Sequence, residues 1–217
     1  MNNVPFTLSQ VRPIRDAMTV SRPSGLGYGV PVTWFSLGAG TSITPEYYDC
    51  TTIYLGGEGN GKFLLGVDGQ EVSVKPGEVL YVPPKTLCGT KTDSGMIYTE
   101  IILKKENFTM NNILKAGQPT ELKNLISYEE GSIANLDIAH ADNMKFVLMA
   151  FDEGTGLTPH RAPGNAILTA LEGKAIIGYE GKDHELNAGE SFRFDKNGLH
   201  SVTAQGKFKM SLLLVLE

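Results

Sequence analysis

The chain has 217 residues, 41% of them hydrophobic and 20% charged, with a formal net charge of −5. The length admits one large domain or two of about 100 residues, and an acidic balance without a dense Lys/Arg cluster argues against a nucleic-acid partner. Two cysteines, Cys50 and Cys88, are too few for a secreted disulfide scaffold. No apolar run nears the roughly 20 residues of a membrane helix, and the polar start Met1-Asn2-Asn3-Val4-Pro5 lacks a signal-peptide pattern, so the expectation is a cytoplasmic protein without a membrane partner.

In chain order, short β-branched and aromatic stretches bounded by Gly, Pro, Asn and Asp predict strands over 30–37, 51–55, 62–67, 71–74 and 79–82. A second series follows over 145–151, 166–171, 174–179, 184–186, 191–194 and 207–215. Between them, 120–127 is the one helical candidate, with Leu122, Leu125 and Ile126 on one face and Thr120 as its N-cap. The glycine-rich 56–62 resembles a phosphate loop, but Phe63 stands where a Mg-binding hydroxyl is needed and no helix-forming segment follows. It reads as a hairpin turn. The run 24–29 has the wrong spacing for a dinucleotide fingerprint and reads as a bent or flexible loop.

The two series are copies. Gly40-Thr41-Ser42-Ile43-Thr44-Pro45 recurs as Gly154-Thr155-Gly156-Leu157-Thr158-Pro159, and Gly61, Gly66, Gly69 and Gly77 align with Gly173, Gly178, Gly181 and Gly189 after a two-residue slip. Recurring glycines imply recurring turns. Many short strands with glycine turns and little helix point to an antiparallel jelly roll per copy, with the junction near 106–118.

Gly154-x5-His160-x-Ala162-x3-Ala166-x6-Gly173, followed by Gly189-x5-Asp195-x-Asn197-x2-His200, resembles the paired motifs of the cupin superfamily. The first copy fits the same frame through Gly40, Glu46, Tyr48, Thr52 and Gly59, then Gly77, Pro83, Lys85 and Cys88. The resemblance spans nearly the whole chain, twice. It implies a bicupin: all-β, two tandem double-stranded β-helix (jelly-roll) barrels with little helix, an N-terminal cupin domain at 1–110 and a C-terminal one at 111–217. A homodimer is the expectation by analogy with cupins.

In metal-binding cupins the frame supplies two His and a Glu from its first motif and a third His from its second. Here the second copy keeps His160 and His200 but has Ala162 and Ala166 at the remaining positions. The resemblance therefore implies at most one divalent ion, Fe, Mn, Ni or Zn, in the C-terminal barrel, with His160 and His200 as its ligands. Two imidazoles alone form a weak site, and Asn165 and His140 are the candidates for a third ligand. His140 precedes a turn signal and is expected to be exposed, and His184 to be a half-buried hairpin residue. The first copy offers Glu46, Tyr48 and Cys88, a poor match for any single ion, and is expected to bind none. These three converge on a pocket suited to acid–base work or a polar ligand. With no histidine before His140, a Cys–His pair in the first domain is excluded.

Two functions stay open, and no catalytic residue is assigned. One is a small organic ligand bound in a barrel pocket by His160 and His200, or by Glu46, Tyr48 and Cys88, without a complete metal site. The other is a metal-dependent cupin enzyme, a dioxygenase or isomerase, working from the C-terminal barrel. A purely structural protein whose side chains fill its pockets is a third possibility. In the first two, His160 and His200 lie side by side, with Phe192 and Phe194 as an apolar wall.

Overall fold

The computed structural model describes residues 3–27, 29–103 and 108–216. Among these the regular structure is nearly all strand: β1 (Thr19–Pro23), β2 (Val32–Leu37), β3 (Thr41–Tyr47), β4 (Thr51–Gly59), β5 (Lys62–Leu65), β6 (Gln70–Ser73), β7 (Glu78–Val82), β8 (Leu87–Thr92) and β9 (Met96–Leu103) in the first half. Two short linking strands follow, β10 (Phe108–Met110) and β11 (Thr120–Glu121). The second half holds β12 (Ile133–Ala141), β13 (Met144–Phe151), β14 (Gly156–Arg161), β15 (Gly164–Glu172), β16 (Lys174–Tyr179), β17 (Lys182–Asn187), β18 (Ser191–Phe194), β19 (Leu199–Ala204) and β20 (Phe208–Leu216). Among the described residues no helix is long and apolar enough to cross a membrane.

Each half is a jelly-roll barrel of a six-stranded and a four-stranded antiparallel sheet. In the first half the orders are β1-β2-β9-β4-β7-β11 and β3-β8-β5-β6; in the second, β10-β12-β13-β20-β15-β18 and β14-β19-β16-β17. The linking strands cross over: β10 pairs with β12 of the second barrel, and β11, later in sequence, returns to β7 of the first. Residues 104–107, which overlap the predicted junction, lie outside the described residues.

The helix expected at 120–127 is absent. Thr120 and Glu121 are strand residues opposite Val79 and Glu78, and only Leu122–Asn124 turns, as a 3-10 helix. Pairing with an open sheet edge satisfies the backbone more cheaply than nucleating an isolated helix. The helical turn that does form, α1 (Leu8–Val11), begins where the Gln10 side chain accepts the Thr7 backbone N–H at 2.9 Å.

The apolar residues build three cores. One fills the first barrel around Tyr54, Phe63, Leu80 and Tyr98, and another fills the second around Phe151, Leu168, Phe192 and Phe208. The third lies between the barrels, where Val32, Ile53 and Ile101 of the first six-stranded sheet pack with Phe146, Leu148 and Leu213 of the second. Alternate residues of a strand face opposite sides, so with cores on both faces these strands read as continuous apolar runs.

The N-terminal segment and the glycine loop fasten the halves together. Phe6 forms a backbone bridge with Ser191, and Arg193 donates to the carbonyls of Ser24 (3.3 Å) and Gly25 (2.9 Å). Leu26, between the two glycines of that loop, is buried in the inter-barrel core.

The duplicated glycines hold equivalent turns where the backbone demands it. Gly59 and Gly173 have φ of +73° and +75°, and a Cβ on either would lie 2.3 Å from the Gly95 carbonyl oxygen or 2.1 Å from that of Lys207. Gly178 departs from this, lying within β16, packed on Ser201.

Candidate functional site

The Thr-Pro pair shared by the two copies sits at a β-bulge in each. The β3–β8 register shifts between Ile43 and Glu46, and the β14–β19 register between Leu157 and His160. Proline has no N–H to give a ladder, which favours a bulge there. Beyond it, pairing resumes with Glu46 opposite Cys88 and His160 opposite His200. The turns entering β8 and β19 also match, through left-handed Lys85 (φ 59°) and Asn197 (φ 62°).

His160 and His200 therefore stand side by side, ring centroids 4.3 Å apart. His160 is exposed at the rim and His200 is buried. Phe194 stacks on the His200 ring at 4.1 Å and 19°, and Phe192 lies 5.2 Å behind Phe194. This is the expected apolar wall. Each imidazole has its Nδ1 against a backbone carbonyl two residues earlier, Thr158 for His160 (2.8 Å) and Gly198 for His200 (2.9 Å). A carbonyl only accepts, so both Nδ1 atoms carry the hydrogen, and in the neutral form of either ring Nε2 presents the lone pair. Burial holds His200 below its ordinary pKa, aided by His160's charge and opposed by the Gly198 hydrogen bond.

The candidate third ligands point elsewhere. Asn165 donates its Nδ2 to the Leu26 carbonyl (3.0 Å), and its Oδ1 accepts the Lys196 N–H (2.9 Å). His140 is exposed on β12, and His184 is half-buried on β17, 5.2 Å from Phe192. Among the described residues no three His, Cys, Asp or Glu side chains gather as a metal-binding group.

In the first barrel Glu46, Tyr48 and Cys88 do converge, around a cavity of about 20 Å³, room for one water. Three residues absent from the motif reading complete it: Tyr54, Tyr98 and Glu100. Glu100 is opposite Tyr54 in the β4–β9 register and is 6% exposed. Burial pushes its carboxyl up to about 7, while the Tyr54 and Tyr48 hydroxyls, within hydrogen-bonding reach, pull it down. Burial likewise lifts the Cys88 thiol to about 11 and Tyr48 to about 12, Glu100 adding to both shifts. The sequence signal for Glu100 was a lone carboxylate within the apolar run 97–103. By register, Leu168 and Leu212 hold the equivalent places in the second barrel, which explains why its interior is apolar.

Residues 147–216 match the family model of the cupin domain. The matched stretch lies within the second barrel, which thus carries a cupin domain. A comparison with curated protein sequences finds no match. The whole chain is similar in structure to the cupin 2 conserved barrel domain protein of Leptotrichia buccalis, with a TM-score of 0.83 at 24% identity, covering 97% of this chain and 95% of that one. It is also similar to salicylate 1,2-dioxygenase of Pseudaminobacter salicylatoxidans, with a TM-score of 0.66 at 11% identity over 97% of this chain and 83% of the enzyme. A structure of that enzyme as an adduct with gentisate gives 0.67 at 13% identity, covering 98% and 81%. At these identities the likeness is one of fold.

Proposed function

We propose that the protein is a bicupin whose C-terminal barrel binds a small organic molecule at its mouth, using the Nε2 atoms of His160 and His200 over the wall formed by Phe194. The observation that carries this is the pair of Nδ1 atoms committed to backbone carbonyls, which leaves the Nε2 atoms of two adjacent rings, one buried and one exposed, for a ligand beside Phe194. Neutral imidazoles so held accept hydrogen bonds from hydroxyl or protonated carboxyl groups, and the aromatic wall favours a planar ligand. Glu46, Tyr48 and Cys88 line a pocket of one-water size, with Cys88 buried and Glu46 exposed at its edge, and serve there as a polar cluster.

A second reading keeps the same two residues as ligands of a divalent ion in a dioxygenase or isomerase. A complete metal centre does not fit: Ala162 and Ala166 carry no donor, and both polar atoms of Asn165 are engaged. Two imidazoles and solvent would form the whole donor set.

Gentisate, which the salicylate 1,2-dioxygenase structure carries, is the first probe, with other monocyclic hydroxy acids beside it. A saturable rise in melting temperature with the wild type, lost in the His160→Ala/His200→Ala double variant, is the expected result. Equal binding by the double variant would overturn the assignment. Elemental analysis of untagged protein separates the two readings, since near-stoichiometric Fe, Mn, Ni or Zn would favour the enzyme.

A further inference from the structure

A cavity lies between the two six-stranded sheets. Its volume is about 190 Å³, and its walls come from both copies, with Val32 and Trp34 on one side and Phe146, Ile167 and Leu213 on the other. The duplication arranges it. Thr99 pairs with Trp34 and Leu55, and Ser211 pairs with Leu148 and Thr169, so Thr99 and Ser211 hold the same station in the two copies and both line the cavity.

Three properties point to a ligand. The first is size: an apolar cavity of about 150 Å³ takes up benzene, so this one has room for a substituted single ring. The second is a pair of hydroxyls facing each other from the two copies. Thr99 and Ser211 are buried, and their hydroxyls make no hydrogen bond among the described residues, whereas the other hydroxyl pair at the wall, Thr169 and Ser191, is satisfied internally at 2.8 Å. The third is charge: no lysine or arginine lines the cavity, while the half-buried carboxylates of Glu58 and Glu78 do, which disfavours an anion.

We propose that this inter-barrel cavity is a second binding site, distinct from the histidine pair, that takes a neutral monocyclic aromatic alcohol or phenol, its ring between Trp34 and Phe146 and its hydroxyl hydrogen-bonded to Thr99 and Ser211. A hydroxyl both donates and accepts, so either wall residue can serve in either role.

The test uses p-cresol and toluene as probes of the full chain, by calorimetry and ligand-observed NMR. Wild type is expected to bind one equivalent of p-cresol saturably and more tightly than toluene. Ser211→Leu, which fills the cavity, is expected to abolish uptake of both. Thr99→Val/Ser211→Ala keeps the shape and is expected to cut the preference for p-cresol over toluene by about threefold to tenfold. His160→Ala/His200→Ala is expected to leave p-cresol binding unchanged, which separates this site from the barrel mouth. Absence of saturable uptake by wild type, full uptake by Ser211→Leu, an undiminished preference in the hydroxyl-free variant, or loss of uptake with the histidines would each overturn the proposal.

Discussion

Glu46 and His160 occupy the same station in the two barrels. Each follows a proline at a β-bulge, and each faces its partner, Cys88 or His200, directly across an antiparallel pair. One scaffold thus presents an exposed carboxylate beside the buried Glu100 in one barrel and a pair of imidazoles in the other.

That contrast predicts opposite responses to pH. His200 is held below its ordinary pKa, so the unfolded chain binds the extra proton, and stability falls as pH drops below about 6.5. Glu100 titrates near 7 in the fold against an ordinary 4.5. Its contribution is complete below 4.5 and is lost as pH rises through 7. Glu100→Gln should gain on wild type above pH 7 by on the order of 2–3 kcal/mol, and His200→Gln should flatten the acid side. Urea midpoints between pH 4.5 and 8 check both; a Glu100→Gln profile parallel to wild type would refute the first.

Thiol chemistry should separate the two cysteines. Cys88 is buried with its pKa raised to about 11, so its nucleophilic thiolate is scarce at pH 8. Cys50 is half-buried and unbridged. Iodoacetamide should label the folded protein at Cys50 alone, with Cys88 reacting only in denaturant, as mass spectrometry of peptides will show.

Gly173→Ala should cost more than Gly154→Ala. Both positions are left-handed, at +75° and +77°, but a Cβ on Gly154 enters open space whereas one on Gly173 meets the Lys207 carbonyl. Strain alone costs on the order of 1–3 kcal/mol, and the clash adds to it at Gly173. Equal losses in chemical denaturation would contradict this.

Leu148 is fully buried in the inter-barrel core, and Trp34 is the sole tryptophan. Leu148→Ala should destabilise by about 2–5 kcal/mol and move the Trp34 fluorescence transition together with that of the circular dichroism. An unmoved Trp34 midpoint would show that the halves unfold separately.

Much of this was legible in the sequence because turns and inward positions obey local rules. Gly40, Gly59 and Gly77, with their partners Gly154, Gly173 and Gly189, adopt the positive φ that their recurrence implied, and the resemblance to the cupin motifs put His160 beside His200. What escaped depended on pairing partners far along the chain. The 120–127 segment has a plausible helical stripe, yet β7 offered Thr120 and Glu121 an edge. Glu100 lies on a strand no motif marks, and its role appears only when β4 brings Tyr54 opposite. The inter-barrel core was hidden for the same reason, since an apolar run does not reveal which of its faces meets the other copy.

The crossing of β10 and β11 sets an order of assembly during synthesis. When the first nine strands have left the ribosome, the β7 edge still lacks β11, and Val32, Ile53 and Ile101 have nothing to pack on until the second copy emerges. Phe6, made long before Ser191, waits for it to close their bridge. A nascent chain stalled before that point therefore carries an exposed sheet face and an open strand edge, the two features that most invite wrong association, and the last quarter of the chain acts as the closure for the first.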